Sequence, residues 1–247
     1  MEYITWTRSA NGNTQIQAGS VKLVEDERAR EIIAAGWARR SDMYGNSICC
    51  TADWERCREA RSYAMPTPRC CVGHVTQIFA DLDRLFTKHR VTWWLDYGSI
   101  LGAVRNGGQI PHDKDGDAGI LEDERPQVEK ALKEMEALGY HVIRKGRREK
   151  TFGAGNSVKV CMSAINRTNV DLFWWHKEGD NWTRHNWCSV DRYKGRDIPN
   201  DKLFPIKRIA YEGMKLPAPA DHKWFCAHRY GPNWMTPIQR NNDGVRR

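Results

Sequence analysis

No stretch of this 247-residue sequence approaches the run of about 18 apolar residues that a membrane-spanning helix requires. The opening residues, MEYITWTRSANGN, lack the basic-then-apolar order of a secretory leader, so the expectation is a cytoplasmic protein. Internal repeats and low-complexity tracts are absent, and so is any helix-turn-helix or RNA-recognition signature, which removes nucleic acid from the expected partners. What is present is an ordinary globular composition, 40% apolar and 28% charged, long enough for one large domain with a small appendage. Lysine and arginine outnumber the acids, 39 to 31, giving a net charge of +8 that suits phosphate-bearing ligands. That basic surface also allows peripheral contact with the inner face of a membrane. The most basic local run, RKGRREK at 144–150, has the form of a solvated loop.

Periodicity divides the chain into a small amino-terminal α/β subdomain (1–45), a cysteine-rich segment (46–71) and a main domain (72–247). Residues 21–40 read as a short strand and then a helix with Ala29, Ile32, Ile33 and Trp37 on one side. Apolar residues at helical spacing from Val72 to Phe86 predict a helix leading into the strand VTWWL, followed by a turn at Gly98-Ser99 and a short helix over 100–105. Further expectations are a strand from Asp115 to Leu121, a helix over 125–138 closed by Gly139, and strands at VKVCM and VDLFWW. The remainder reads as irregular, broken by proline and glycine. The fold class is α+β, a mixed sheet flanked by helices.

The richest stretch is LDYGSILGAVRNGGQIPHDKDGDAGI, residues 95–120, where Asp113, Asp115 and Asp117 alternate. They match positions 1, 3 and 5 of an EF-hand loop, with Glu124 at position 12. However, Ala118 stands where the sharp turn needs glycine, and NGGQIPH cannot form the entering helix. On a strand, residues two apart share a face, so Asp115 and Asp117 would repel one another unless a cation lay between them. Hard oxygen ligands favour Mg²⁺ or Mn²⁺. Upstream, Gly98 lets a phosphate approach the backbone, and Ser99 with the helix amino terminus could hold it. Downstream, Asp171 in NVDLFWW lies between apolar residues on a strand, where a lone carboxylate is expensive to bury without a ligand role.

A Gly-Ser turn, D-x-D on a strand and a later lone acid between apolar residues form the pattern of the nucleotidyltransferase fold. The stretch WWLDYGSILGAVRNGGQIPHDKDGDAGILED further resembles the core motif of the LicD-type family, which includes phosphocholine transferases and fukutin-related proteins. The similarity continues through VDLFWW and FPIKRIAYEGMKLPAPAD to YGPNWMTP, covering about residues 66–240. Gly116 and Ala118 are smaller than the residues usual there, and His112 stands where tryptophan is common. The resemblance implies transfer of a phospho-alcohol, of the phosphocholine or ribitol- or glycerol-phosphate type, from a CDP-linked donor to a glycan hydroxyl with release of CMP. It assigns Asp115, Asp117 and Asp171 as catalytic and Mg²⁺- or Mn²⁺-binding carboxylates. Gly98, Ser99, Arg105 and Asp113 fall on its donor- and phosphate-binding side. Two other readings remain open: a nucleotidyltransferase that attaches a nucleoside monophosphate to a sugar, protein or RNA, and a catalytically inactive module that binds a glycan or nucleotide.

Five of the eight cysteines lie between residues 49 and 71. Cys50, Cys57, Cys70 and Cys71 give a C-x6-C-x12-C-C spacing, which could surround one zinc ion or leave unpaired buried thiols. Fukutin-related proteins are similar in having such cysteines ahead of the catalytic motif, where they bind zinc; this implies a structural Zn²⁺ here, with Cys49 able to replace Cys50. Trp93, Trp94, Trp174 and Trp175 flank the proposed site and read mainly as core, with stacking on cytosine or caging of a quaternary ammonium as the functional alternative. The sequence does not specify an oligomeric state.

Overall fold

Nearly continuous burial along β4, β5 and β8 and an apolar stripe on the long helices organise the residues around a mixed seven-stranded sheet. The computed structural model describes residues 2–6, 21–24, 38–40, 66–145, 157–184 and 197–237. At the amino terminus, β1 (Glu2–Trp6), β2 (Val21–Val24) and β3 (Ala38–Arg40) form an antiparallel sheet in the order β2-β1-β3. The helix expected between the last two lies outside the described residues, as does most of the cysteine-rich segment.

The first described helix of the main domain, α1 (Arg69–Lys88), starts directly after Pro68 and buries Val75, Ile78, Phe79, Leu82, Leu85 and Phe86 along one side. Each such side chain contributes about 1.5–3 kcal/mol on burial. The helix begins three residues before the expected Val72 because Cys71 and Val72 donate to the Pro68 carbonyl. Thus Cys70, half-buried, and Cys71, buried, belong to its first turn rather than to a loop.

There follow β4 (Trp93–Leu95), α2 (Tyr97–Asn106), β5 (Gly116–Leu121), a short 3-10 turn, α3 (Arg125–Ala137), β6 (His141–Lys145), β7 (Ser157–Cys161) and β8 (Asn169–Glu178). Next come β9 (Asn181–Arg184), β10 (Ile198–Pro199) and the one-turn α4 (Asn200–Leu203). The sheet runs β10-β9-β8-β5-β4, with β7 also paired to β8 and β6 to β7. β5 and β8 are parallel, while the other pairs are antiparallel, so the sheet is mixed as expected.

Register decides the division of labour between the faces. Gly116, Ala118, Val158, Val170 and Leu172 share one face, which α1 covers. A Cβ on Gly116 would lie 2.6 Å from the Phe79 ring, so this helix occupies the space a larger side chain would need. Lys88 and His89 at the end of α1 each meet Glu134 at 2.7 Å, which holds α3 beside α1. Arg144 on β6 reaches Glu129 at 2.9 Å and Glu136 at 2.7 Å, tying α3 to the sheet. The other face carries Asp117, Gly119, Asp171, Phe173 and Trp175, and α2 lies against it. Trp93, Trp94, Trp174 and Trp175 are at most 3% exposed, so their role is packing.

The segment expected to be irregular is instead a hairpin, β11 (Lys207–Tyr211) and β12 (Met214–Ala218), followed by α5 (His222–Tyr230), which Asp221 caps at the Trp224 amide. Its two-residue turn places Glu212 at φ +46° and Gly213 at φ +78°, the left-handed pair that matches strand twist. Glu212 is an uncommon first residue for such a turn, so the sequence signal is weak. Here its carboxylate accepts from the Gln109 amide at 2.9 Å and its own amide donates to the Gly107 carbonyl, clasping the end of α2.

Candidate active site

The site forms where β4 passes into α2. Asp96, fully buried, caps that helix by accepting from the Tyr97 amide at 2.8 Å. Its other partners are the Arg229 guanidinium and the Trp175 indole N–H, each at 3.2 Å. Tyr97 takes φ +38°, a left-handed conformation costly for a residue with a bulky side chain. This bend turns the chain so that Gly98 faces the acidic residues. Gly98 and Ser99 therefore lie in the first helical turn, where a separate turn had been expected.

Ser99, only 2% exposed, accepts the Asp117 amide at its Oγ, 2.9 Å away, which ties β5 to α2. The Gly98 amide donates to Asp117 Oδ2 at 3.1 Å. A Cβ at Gly98 would stand 2.0 Å from Asp113 Oδ2 and 3.4 Å from Asp117 Oδ2, so a bare Cα is what admits both carboxylates. The loop before β5 is held by Thr67, whose hydroxyl donates to the Asp113 carbonyl, and by Gln109 Nε2, which donates to the same oxygen at 2.9 Å. Lys114, 3% exposed, donates to the Thr67 hydroxyl at 3.2 Å beneath it.

Asp117 and Asp171 are direct neighbours on the parallel strands β5 and β8, and Lys159 is opposite Asp171 on β7. Their side chains therefore line one row across three strands. Lys159 Nζ meets Asp171 Oδ2 at 3.0 Å, while Asp171 Oδ1 is buried without a hydrogen-bond partner. Asp115 sits just before β5 rather than within it, and it too reaches the cluster. Burial first, then the Asp115 carboxylate, push the Asp113 carboxyl up to about 7. Burial and the Asp115, Asp113, Asp171 and Asp96 carboxylates, in that order, hold Asp117 well above its ordinary range. The carboxylates gathered around Asp113 and Asp117 raise the affinity of these two for positive charge, and the four acids are a suitable donor set for a hard divalent cation. The orphaned Asp171 oxygen and the clearance at Gly98 fit that chemistry. Among the described residues, no group of three His, Cys, Asp or Glu side chains is arranged to hold a metal ion as it stands. Asp171 Oδ2 is engaged by Lys159 and Asp117 Oδ2 by the Gly98 amide.

The structure thus brings together Gly98, Ser99, Asp113, Asp115, Asp117 and Asp171. Arg105 is seven residues along α2 from Gly98, about 10 Å at 1.5 Å per residue, and its guanidinium donates to the Thr236 carbonyl at 3.2 Å. Cys50 and Cys57 lie outside the described residues, so the four-cysteine zinc site does too.

Several residues beside the acidic row carry almost no signal in the sequence. The Arg184 guanidinium lies 4.2 Å from the Phe173 ring and 5.0 Å from Tyr97, and these two rings contact edge to face at 5.1 Å. The Arg229 guanidinium also lies over the Tyr97 ring, 4.0 Å from its centroid. Tyr230 follows Arg229 at the end of α5 and is 40% exposed. The one available signal was the alternation in β8, which puts Phe173 and Trp175 on the face of Asp171.

A family model described as LicD/FKTN/FKRP, nucleotidyltransferase domain, matches residues 90–221. The chain is 28% identical over 158 residues to an uncharacterized protein of Rickettsia prowazekii, covering 64% of this chain and 54% of that protein. It is also 28% identical over 179 residues to human ribitol 5-phosphate transferase FKRP, covering 72% of this chain and 35% of that one. The chain therefore spans about half or less of the length of these relatives. A solved structure of ANT(2")-Ia in complex with adenylyl-2"-tobramycin aligns with a TM-score of 0.40 at 14% identity, over 60% of this chain and 70% of that one.

Proposed function

The chain belongs to the LicD/FKTN/FKRP nucleotidyltransferase-domain family, and from that premise we propose that it is a phosphotransferase moving a phospho-alcohol from a CDP-linked donor to a glycan hydroxyl. The observation that carries this reading is the row of Asp117 and Asp171 on adjacent parallel strands, with Asp113 packed beside Asp117 against the bare Gly98 and the Asp115 charge next to them. Asp115, Asp117 and Asp171 would hold Mg²⁺ or Mn²⁺, which when bound supplies charge neutralisation for the donor diphosphate. In the transfer, the acceptor oxygen forms a bond to the donor's β-phosphorus as the bond from that phosphorus to the CMP oxygen breaks. The chain's contribution is positioning and electrostatics. The Arg184 guanidinium, 4.2 Å from the Phe173 ring and 5.0 Å from the Tyr97 ring, adds positive charge on the side where negative charge develops on CMP. Asp171, whose Oδ1 is buried and without a hydrogen-bond partner, would receive the acceptor's proton.

The test is incubation with a panel of CDP-alcohols, a glycan acceptor and Mg²⁺ or Mn²⁺, followed by mass analysis of the products. CMP release together with a phospho-alcohol on the glycan is expected, and both Asp115→Asn and Asp171→Asn should lower the rate by about 100-fold or more. A product that carries the nucleotide would replace this reading with nucleotidyl transfer.

A further inference from the structure

Asp171 already carries a cation of the chain's own, and that cation is well suited to move. The β7–β8 register places Lys159 directly opposite Asp171, and the resulting ion pair, 3.0 Å long, leaves only 22% and 16% of the two side chains exposed. Lys159, Asp171 and Asp117 thus form one row, positive charge at the end and carboxylates inward. A strand fixes the lysine Cα, but four methylenes and three rotatable N–H donors let the ammonium swing several ångströms without backbone change. Asp171 divides its oxygens unequally, Oδ2 to the ammonium and Oδ1 to no partner. A divalent ion joining this row would stand within a few ångströms of the ammonium, and two cations on one carboxylate repel. The phosphates of an incoming donor offer the displaced ammonium a new partner.

We propose that Lys159 is a resident counter-cation that occupies Asp171 until a divalent metal binds, and then transfers its ammonium to the donor diphosphate. The first half concerns the chain and the metal alone; the second rests on the phosphotransferase reading above. Lys159 is therefore a metal-gating residue in the free protein and a phosphate-binding residue in the loaded one. Its hydrogen bond is exchanged, with no proton gained or lost.

The test compares wild type, Lys159→Gln and Lys159→Arg. Mn²⁺ binding measured without donor, by calorimetry or electron paramagnetic resonance, should be about tenfold tighter in Lys159→Gln because the competing charge is gone. With CDP-ribitol, the same variant should show a donor KM about tenfold higher and a smaller change in kcat, and Lys159→Arg should restore most of that KM. Mn²⁺ affinity equal to or weaker than wild type in Lys159→Gln would overturn the gating role. Tighter Mn²⁺ with an unchanged donor KM would overturn the transfer to phosphate. If wild type turns over no CDP-alcohol, the phosphotransferase reading fails, while the Mn²⁺ comparison still decides the first half. Should Lys159→Gln not fold, amine acylation of wild type read by peptide mass spectrometry takes its place. Lys159 labelling should rise on adding Mn²⁺ and fall again on adding CDP, and labelling indifferent to Mn²⁺ contradicts the proposal.

Discussion

A bare Cα at Gly98 sets how closely backbone and carboxylates approach, which makes it the most informative single position in the site. Gly98→Ala would drive a methyl to 2.0 Å from Asp113 Oδ2, so the carboxylate must leave its place. Because that carboxylate group can swing away, stability should change by about 1 kcal/mol or less while transfer falls about 100-fold. Equal activity in a well-folded Gly98→Ala protein would remove Asp113 from the site. The same acid makes a pH prediction. Its carboxyl, raised to about 7 by burial and by Asp115, binds a proton more tightly folded than unfolded, where the ordinary value is about 4. In chelator, its contribution to stability is thus full below about pH 4 and disappears as pH rises through about 7. Lys114 opposes the shift, and Asp117 lies across Gly98 from it. Denaturant unfolding at several pH values should show this decline in wild type and a shallower one in Asp113→Asn; parallel curves would contradict it.

Elements explain which features a reader of the sequence can find. The helices α1 and α3 were legible because each buries a stripe repeating over several turns, and the acidic comb was legible because it is local. The β11–β12 hairpin escaped notice because its turn is Glu212-Gly213 rather than the commoner Asn-Gly, and Glu212 serves the Gln109 amide as well as the turn. Arg105, two turns along α2 from Gly98, meets the Thr236 carbonyl, a partner that no local pattern announces. The Lys159–Asp171 pair depends on the β7–β8 register, and the Arg184, Phe173 and Tyr97 group joins β9, β8 and the start of α2, associations that no local pattern encodes. One prediction belongs at this scale. The β4–β5 register pairs Trp94 with Gly119, and a Cβ on Gly119 would lie 2.3 Å from the indole. Gly119→Ala should therefore destabilise the protein by about 1–3 kcal/mol through overpacking, read as a lower denaturant midpoint. A midpoint at the wild-type value would show that Trp94 can move aside.

At the scale of the whole molecule, the sheet separates support from chemistry. One face is packed by α1 and braced by α3, and the other holds the acids at the adjoining ends of β5 and β8, beside the start of α2. The α+β class, the mixed sheet and the family were all legible from the order of a few motifs, because each motif occupies a strand end or helix start that the topology then gathers. No described helix is long and apolar enough to cross a membrane. The central claim is that this gathered set of acids transfers a phospho-alcohol rather than a nucleotide. The most direct measurement is mass analysis of the products from CDP-ribitol, a glycan acceptor and Mn²⁺, made with wild type and Asp117→Asn. Free CMP with phosphoribitol on the glycan, reduced about 100-fold in the variant, is the predicted result. A cytidylylated acceptor, or equal CMP release by both proteins, would contradict it.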